Sequence, residues 1–508
     1  GINTNNNILL SDNIVFLNIF FKLISNLFTS NFQFFGLWIL ICFFFQSFFS
    51  YKIFYFYTKN FKYSFLCSIF FITLPILIDR IYIHFALSAH WLIIWAIYLS
   101  IKDIRQSKFN LKWTLLFSIA ILTNFYIFLM VAAIFTYSNI VNFNNTIGFK
   151  FKILLSNYVY FLFILYLIGF FDLNVINYLQ YGFGYYKSNL LTFFDATGGF
   201  ISTKDGFSWS LLNIFDIKNI NGENEGFGYL GLGGIILLFI LLYLLSFQKK
   251  DIIFKIFVFG LIFFLISLSN NIHISNYNLI TFDLNKYLLG LFSFIRSSGR
   301  FIWLVYYIIC ISSFVLIYKH IKKINPLALA AIIILIQLVD ISKIFSEKKN
   351  IIKENKSVLN SNFWKEEVYG KYKSLIYTFP TGASDIQNKY IELISNSKFS
   401  NTNITYQARN DQSKLAVSRY ELYKKLEKKN LDNTDLVIID PKHLIYLNYI
   451  YKNQNFKIIN VDGFWLLMNK KNLLTSKFDE KKLQKYLPKY LELNKSYDYN
   501  KISPYLGL

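Results

Sequence analysis

Long apolar runs, broken by short polar punctuation, dominate the first two thirds of the chain. Stretches long enough to cross about 30 Å of hydrocarbon occur near 33–56, 64–78, 82–101, 113–140, 153–171, 230–247, 252–268, 301–318 and 325–342. The 113–140 run exceeds what one span needs and carries "TNFY" at its middle, so it reads as two shorter half-helices, giving about ten segments in all. From about residue 356 the pattern changes to shorter apolar runs with soluble-type punctuation. There "SLIYTFP" (374–380) and "DLVIID" (435–440) predict buried strands, and "KLAVSRYELYKKLEKK" (414–429) predicts an amphipathic helix. Asp440-Pro441 reads as an N-cap followed by proline at the first helical position. Asp462-Gly463, inside "FKIINVDGFWLLMNK" (456–470), is a hairpin signal. The expected fold class is mainly α: a polytopic helical membrane domain over 1–342, then a small α/β domain over 343–508.

Composition agrees. Of 508 residues, 55% are hydrophobic, 20% aromatic and only 16% charged, proportions that no ordinary soluble domain shows. The formal net charge of +23 would suggest nucleic acid in a soluble protein. Here the lysines sit mostly in short loops between apolar runs and in the C-terminal third, so positive-inside topology and anionic lipid headgroups explain them, and no nucleic-acid partner is expected. Heavy use of Ile, Phe, Asn, Lys and Tyr matches a bias toward AT-rich codons, which leaves single lysines and asparagines with little weight. Cys42, Cys67 and Cys310 lie inside apolar runs without paired spacing, which supports neither a disulfide framework nor a zinc site. The chain starts at Gly1 without a signal-peptide pattern, and the expectation is that a first span is missing from it.

The loop lysines fall on one side: Lys59/Lys62, Lys102 to Lys112, Lys150/Lys152, Lys249 to Lys255 and Lys319 to Lys323. That side is expected to be cytoplasmic. The other side then holds residues 1–31, the turn at 79–84, the loops 172–229 and 269–300, and everything after 343. The candidate chemistry gathers there. In "FIRSSGRFIW" Arg296 and Arg300 share a face if the segment is helical, and two fork-shaped cations side by side suit a phosphate; the plainer reading is snorkelling at a membrane boundary. Asp12, in "LLSDNIVFLNIFFKLI", is a candidate general base or metal ligand, or simply part of a helix N-cap. "IDRIYIHFALSAHW" (78–91) holds Asp79, Arg80, His84 and His90, with Arg80, His84 and Ser88 spaced as an i, i+4, i+8 ladder. Ionisable groups at membrane depth mark a site or a polar network tying helices together, and the His-x5-His spacing matches no common zinc pattern. Glu225, among the glycines of "NGENEGFGYLGLGG", either faces a polar ligand at a helix mouth or is an exposed loop acid. Tyr229 follows it in the same stretch and joins the substrate-binding or polar-network candidates. No nucleotide-binding fingerprint occurs.

Seven stretches, "SDNIVFLNIFFKLIS", "FQFFGLWILICFFFQ", "HFALSAHWLI", "GFGYYKSNLLTFF", "EGFGYLGLG", "FIRSSGRFIW" and "IQLVDIS", run in order from 11 to 342, with a weaker echo in "NITYQARND" and "DGFWLLMN". Together they resemble a family of uncharacterised bacterial polytopic membrane proteins, themselves similar to GT-C glycosyltransferases and to YfhO-like membrane proteins. The resemblance implies a GT-C-like membrane domain and inverting sugar transfer on the extracytoplasmic face. The sugar would pass from a polyprenyl-phosphate donor to a cell-envelope glycan or lipid acceptor, in a protein of the bacterial inner membrane whose C-terminal domain is extracytoplasmic. Asp12 occupies the place of the acidic residue that such enzymes keep in their first outer loop. The usual paired-acid motif is absent, since Asn13 follows Asp12, so a divalent cation lacks its usual signature and no metal ligand is assigned. In this expectation Asp12 is the base and Arg296 and Arg300 hold the donor phosphate. The rivals are a transporter or flippase of a polar lipid or glycolipid, which should carry inverted repeats and broken helices, and a non-catalytic envelope scaffold.

Overall fold

The computed structural model describes residues 13–27, 34–81, 83–103, 111–141, 146–171, 182–200, 207–212, 214, 217–246, 252–321, 323–345, 359, 362–378, 393, 399–403, 412–451 and 455–470. The chain divides into two compact units. One comprises 12–173 with 179–352; the other comprises 353–508 with 1–11 and 174–178.

The first unit is helical. Its elements are α1 (Val15–Leu23), α2 (Phe35–Thr58), α3 (Phe61–Phe70), α4 (Pro75–Ile81), α5 (Trp91–Asp103), α6 (Lys112–Ile121), α7 (Phe125–Val141), α8 (Ile147–Leu167), α9 (Gly231–Leu245) and α10 (Ile252–Leu268). A hairpin, β1 (Asn271–Ile274) with β2 (Tyr277–Thr281), then leads to α11 (Lys286–Phe292), α12 (Ile302–His320) and α13 (Pro326–Asp340). Among the described residues, four helical stretches are long and apolar enough to cross a membrane: Phe35–Thr58, Phe85–Lys102, Ile147–Leu167 and Ser298–His320. A fifth is reached if the bent pair α3–α4 counts as one span, and five further apolar helices of 10–17 residues accompany them. α12 is the axis of the unit, buried from Ile302 to Ile317 and packed against α2, α9 and α10. α8 instead leaves Leu155, Val159, Leu162, Phe163 and Tyr166 exposed, an outward apolar stripe on a helix long and apolar enough to cross a membrane.

Local chemistry sets the boundaries. Lys59 closes α2 at φ 52, and Asn60 opens α3 by accepting from the Tyr63 amide at 3.0 Å. The 53° bend between α3 and α4 falls at Pro75, which lacks an N–H and disfavours helical backbone at the residue before it. The "TNFY" break separates α6 from α7, with Asn124 Oδ1 accepting from the Tyr126 amide at 2.9 Å. Asn325 caps α13 through the Leu327 amide at 3.0 Å, and Pro326 is its first residue.

Two expectations of shared helical faces fail. α4 ends at Ile81 and His84 sits at φ −132, ψ 81 before a single 3-10 turn over Phe85–Ser88, so Arg80, His84 and Ser88 do not form one ladder. Arg296 and Arg300 lie in separate short turns, because Ser297 at φ −96, ψ 62 interrupts the helix between Ser293–Ile295 and Ser298–Phe301.

The second unit is α/β. Strands β3 (Ser374–Tyr377), β4 (Asn401–Thr402), β5 (Asp435–Ile439), β6 (Phe456–Val461) and β7 (Phe464–Asn469) form a sheet in the order β4-β3-β5-β7-β6. β3 runs parallel to both β4 and β5, while β7 is antiparallel to β5 and β6. Helices α14 (Gln412–Glu427) and α15 (Leu444–Tyr451) cover one face, where Leu426, Leu444 and Leu447 meet Ile376, Val437, Ile439 and Leu467. Phe363, Trp364 and Tyr372 pack with Leu375, Tyr377 and Ile438 on the other. Asp440 precedes a 3-10 turn opened by Pro441. Asp462 and Gly463, at φ 48 and 81, turn β6 into β7, the two positive angles that a type I′ hairpin requires.

That turn yields a prediction. Gly463→Ala forces a side chain into a left-handed backbone and should destabilise the second unit by about 1 kcal/mol, read as a lower denaturant midpoint for amide exchange in β6 and β7 of the full-length protein. Asp462→Asn, at home at positive φ and still able to accept from Trp364 Nε1, should leave that midpoint unchanged.

Candidate functional site

The segments that carry Lys187, Glu225 and Arg300 are locked together by glycine. A Cβ on Gly299 would stand 2.6 Å from Gly226 Cα and 2.7 Å from the Lys187 carbonyl carbon; one on Gly226 would stand 2.2 Å from the Lys187 carbonyl oxygen. Backbones therefore meet directly. Ser188 Oγ donates to the carbonyls of Gly226 and Gly299 at 3.0 and 3.1 Å, and Thr192 Oγ1 donates to Gly226 O at 2.8 Å. The residues beside the two glycines, Glu225 and Arg300, are thereby set face to face.

Arg300 grips Glu225 with both arms of its fork, Nε to Oε2 at 2.9 Å and Nη2 to Oε1 at 2.8 Å. Arg80 reaches the same carboxylate from α4, Nη1 to Oε2 at 3.0 Å, and its Nη2 donates to the carbonyls of Asn224 and Glu225, each at 3.1 Å. Asp79 Oδ2 lies 3.9 Å from Arg80 Nε, and Asp79 Oδ1 accepts from the Phe200 amide at 2.9 Å. Aromatic rings wall the cluster. The Arg80 guanidinium lies 4.7 Å from the Phe200 ring centre and 5.1 Å from that of Trp303, and the Arg300 guanidinium lies 4.6 Å from Tyr126. Arg80 is 1% exposed, Glu225 9% and Arg300 12%, so Arg300 and Glu225 each keep a small accessible edge and Arg80 has almost none. Burial by itself would raise the pKa of Glu225, but the Arg300 and Arg80 charges outweigh it and hold the carboxyl well below the usual range, with His84 adding to the effect.

A family model described as Domain of unknown function (DUF6311) matches residues 1–342. The chain belongs to that family. No curated protein and no solved structure matches it. All the groups of the cluster thus fall inside the DUF6311 region.

The other candidates are placed as follows. His84 sits beside the cluster, its ring 5.4 Å from Phe200. His90 is one layer deeper: its ring packs on Trp303 at 4.4 Å, and Nδ1 shares a 2.7 Å hydrogen bond with the Tyr307 hydroxyl, to which Gln46 Nε2 donates at 2.9 Å. Arg296 turns toward Tyr186, 5.7 Å from its ring centre, because the break at Ser297 separates it from Arg300. Tyr229 belongs to a different network, donating at 2.8 Å to Asp340 Oδ2, which also accepts the Leu232 amide while Ser210 Oγ donates to Oδ1 at 2.5 Å. Asp12 lies outside the described residues.

Sequence reasoning missed a buried neighbour of the cluster. Lys187 Nζ shares a hydrogen bond with His273 Nδ1 and pairs with Glu223 Oε1 at 3.5 Å, while Asn189 Nδ2 reaches both oxygens of Glu223 at 3.2 Å. Burial lowers the Lys187 pKa, and Glu223 offsets part of that. Discounting single lysines and asparagines as codon bias hid this set. The usable signal was the glycine placed beside each charged residue, Glu225-Gly226 and Gly299-Arg300.

Removing the shared carboxylate should be severe. Glu225→Gln leaves two buried guanidiniums against a neutral amide and should cost about 3–5 kcal/mol, measured as a fall in the unfolding midpoint of the full-length protein in lipid nanodiscs. Because the folded pKa is depressed, the carboxylate's contribution is complete above the unfolded value and fades only as pH falls below it. The gap between wild type and variant should stay constant from about pH 8 to about pH 5 and narrow below about pH 4.

Proposed function

We propose that the protein is a membrane glycosyltransferase that moves a sugar from a polyprenyl-phosphate donor to a cell-envelope glycan or lipid acceptor on the extracytoplasmic face. The observation that carries this reading is the Arg80–Glu225–Arg300 cluster. There Arg80 and Arg300 are balanced by Asp79 and Glu225, and Arg296, turned toward Tyr186, adds a further guanidinium to the same chain segment. Fork-shaped cations suit a phosphate, whose charge grows as it leaves. Glu225 keeps both forks oriented, and the accessible edge of Arg300 is where the donor phosphate enters.

In the transfer, the acceptor oxygen attacks the anomeric carbon from the side opposite the phosphate. The carbon–oxygen bond to phosphate breaks, and the phosphate departs with the electron pair beside the arginines. Asp12 takes the proton of the acceptor hydroxyl, a role supported by its place before an amphipathic run and by the GT-C resemblance. The five shorter apolar helices complete about ten membrane segments in this reading, with the lysine loops cytoplasmic, the C-terminal unit extracytoplasmic and the inner membrane as location.

One observation favours a second reading. The bent pair α3–α4, which delivers Asp79 and Arg80, is a broken helix of the kind transporters use to build a midplane site. A flippase would move the same lipid-phosphate headgroup without cleaving it.

Two experiments follow. With radiolabelled polyprenyl-phosphate sugar and full-length protein in proteoliposomes, Arg300→Lys should slow transfer about tenfold to a hundredfold, since a lysine cannot present the fork, and Asp12→Asn should abolish transfer while leaving donor binding intact. Wild-type turnover in Asp12→Asn removes the base; headgroup movement without transfer in the wild type installs the flippase. For topology, Thr203→Cys and Lys389→Cys should both react with a membrane-impermeant maleimide applied to intact spheroplasts. Labelling of only one of them refutes the sidedness.

A further inference from the structure

The hairpin between α10 and α11 turns one strand to the protein and the other outward. β1 is pinned. Leu190 donates its amide to His273 O at 3.0 Å, and Lys187 Nζ shares a hydrogen bond with His273 Nδ1. Asn189 clasps Ser275, donating to its carbonyl at 2.8 Å and accepting its amide at 3.0 Å. β2 is exposed at every residue from Tyr277 to Thr281. Its apolar side chains Tyr277, Leu279 and Ile280 are exposed together with Phe282 and with Leu288 of α11. Between Ser269 and Asn285 the sequence carries a single carboxylate, Asp283, and no lysine or arginine, whereas an edge strand that faces water is commonly blunted by charge, lysine above all.

α10 enters this hairpin with an exposed apolar stripe of its own, Val258, Leu261, Ile262, Leu265 and Ile266, which runs into its last turn. Only Ser269 and Asn270 separate Leu268 from β1, so the hairpin starts within about 11 Å of the end of the helix. The exposed apolar residues of the helix are thus followed, after one short turn, by those of the hairpin. An extended peptide paired to β2 is the competing occupant. The register argues against it. Ile272 pairs with Ile280 and His273 with Asn278, which leaves Leu279 as the extra residue of a β-bulge. A bulge breaks the straight ladder that an added strand needs. Among the described residues this sheet has two strands, and the outer backbone edge of β2 needs partners that hydrocarbon lacks and that headgroups and water supply. Those two demands meet at the membrane–water interface, where a tyrosine keeps its ring among acyl chains and its hydroxyl in water.

We propose that β2 and the first turn of α11 are seated in the lipid surface at the end of α10, with Leu279, Ile280 and Phe282 among the uppermost acyl carbons and β1 holding the hairpin to the protein. The occupant is the bilayer itself. With one carboxylate and no cation along the stretch, the hairpin gains nothing from anionic headgroups and draws its affinity from apolar burial. α11 leads on to Arg296 and Arg300, so the seat sets the height of that segment relative to the headgroups. The inference rests on the helical unit crossing a membrane and not on sugar transfer.

The test places a nitroxide on Leu279→Cys, Phe282→Cys or Leu265→Cys of the full-length protein in phosphatidylcholine–phosphatidylglycerol vesicles. These three positions are exposed, and the natural Cys42, Cys67 and Cys310 are buried, so the label goes to the new thiol. Collision of the label with oxygen, which concentrates in lipid, is compared with collision with a water-soluble nickel chelate. Oxygen should dominate strongly at Leu265, and by a smaller margin at both Leu279 and Phe282, the pattern of a shallow seat. Dominance of the chelate at Leu279 or Phe282, with Leu265 in lipid, puts the hairpin in water and overturns the proposal. Dominance of the chelate at Leu265 as well overturns it through the membrane placement of α10, a failure told apart by that third site. Low collision with both reagents at Leu279 and Phe282 means that protein covers the hairpin, and also overturns it; spin–spin broadening relieved by unlabelled protein then identifies the cover as a second copy.

Discussion

The contact between the backbones of Gly226 and Gly299 is the constraint on which the helical unit depends. Neither position has room for a Cβ, and the Lys187 carbonyl closes the third side of the junction. Three distant loops are thereby brought to one point with no side chain as spacer. Charge follows from that geometry. Glu225 and Arg300 must face each other, and the bend at Pro75 brings Arg80 to the same carboxylate. Burying one ion pair seldom stabilises a protein by itself, because desolvation offsets the attraction. Here the carboxylate is shared by two guanidiniums, the second guanidinium also satisfies two backbone carbonyls, and aromatic faces take up the remaining cationic surface. The arrangement is tolerable only when complete, so its parts depend on one another.

Local signals in the sequence read well. Asp462-Gly463 names its turn because two consecutive residues must take positive φ, and the break at "TNFY" rests on one asparagine and its own neighbours. The strands at 374–377 and 435–439 stand out as short apolar runs between turn residues. Predictions that extended a helix across an unseen break did not hold. The spacing of Arg80, His84 and Ser88 looks like a ladder only if the backbone stays helical, and His84 leaves the helix. Ser297 does the same to the arginine pair.

Partnership over long separations was not legible. Glu225 looked equally like an exposed loop acid and a ligand-facing one, and what decides is Arg80, 145 residues earlier, with Arg300, 75 residues later. Tyr229 and Glu225 are near neighbours in sequence, yet their side chains serve separate networks, one closing on Asp340 and the other on the arginines. Lys187 and Asn189 resembled compositional noise and prove to be buried around Glu223. The two units also differ in the chemistry they present. One gathers guanidiniums about a shared acid; the other links hydroxyl and imidazole groups to Asp440 at the end of a sheet.

The distance along the chain between Arg80 and Glu225 also bears on biogenesis. During synthesis Arg80 emerges long before the acid that neutralises it, and Arg300 emerges later still. Until the segments around Gly226 and Gly299 have emerged and closed on each other, Arg80 has only its chain neighbour Asp79 as a counter-charge. The full set of bonds to the Arg80 guanidinium therefore forms late, after most of the helical unit has been made.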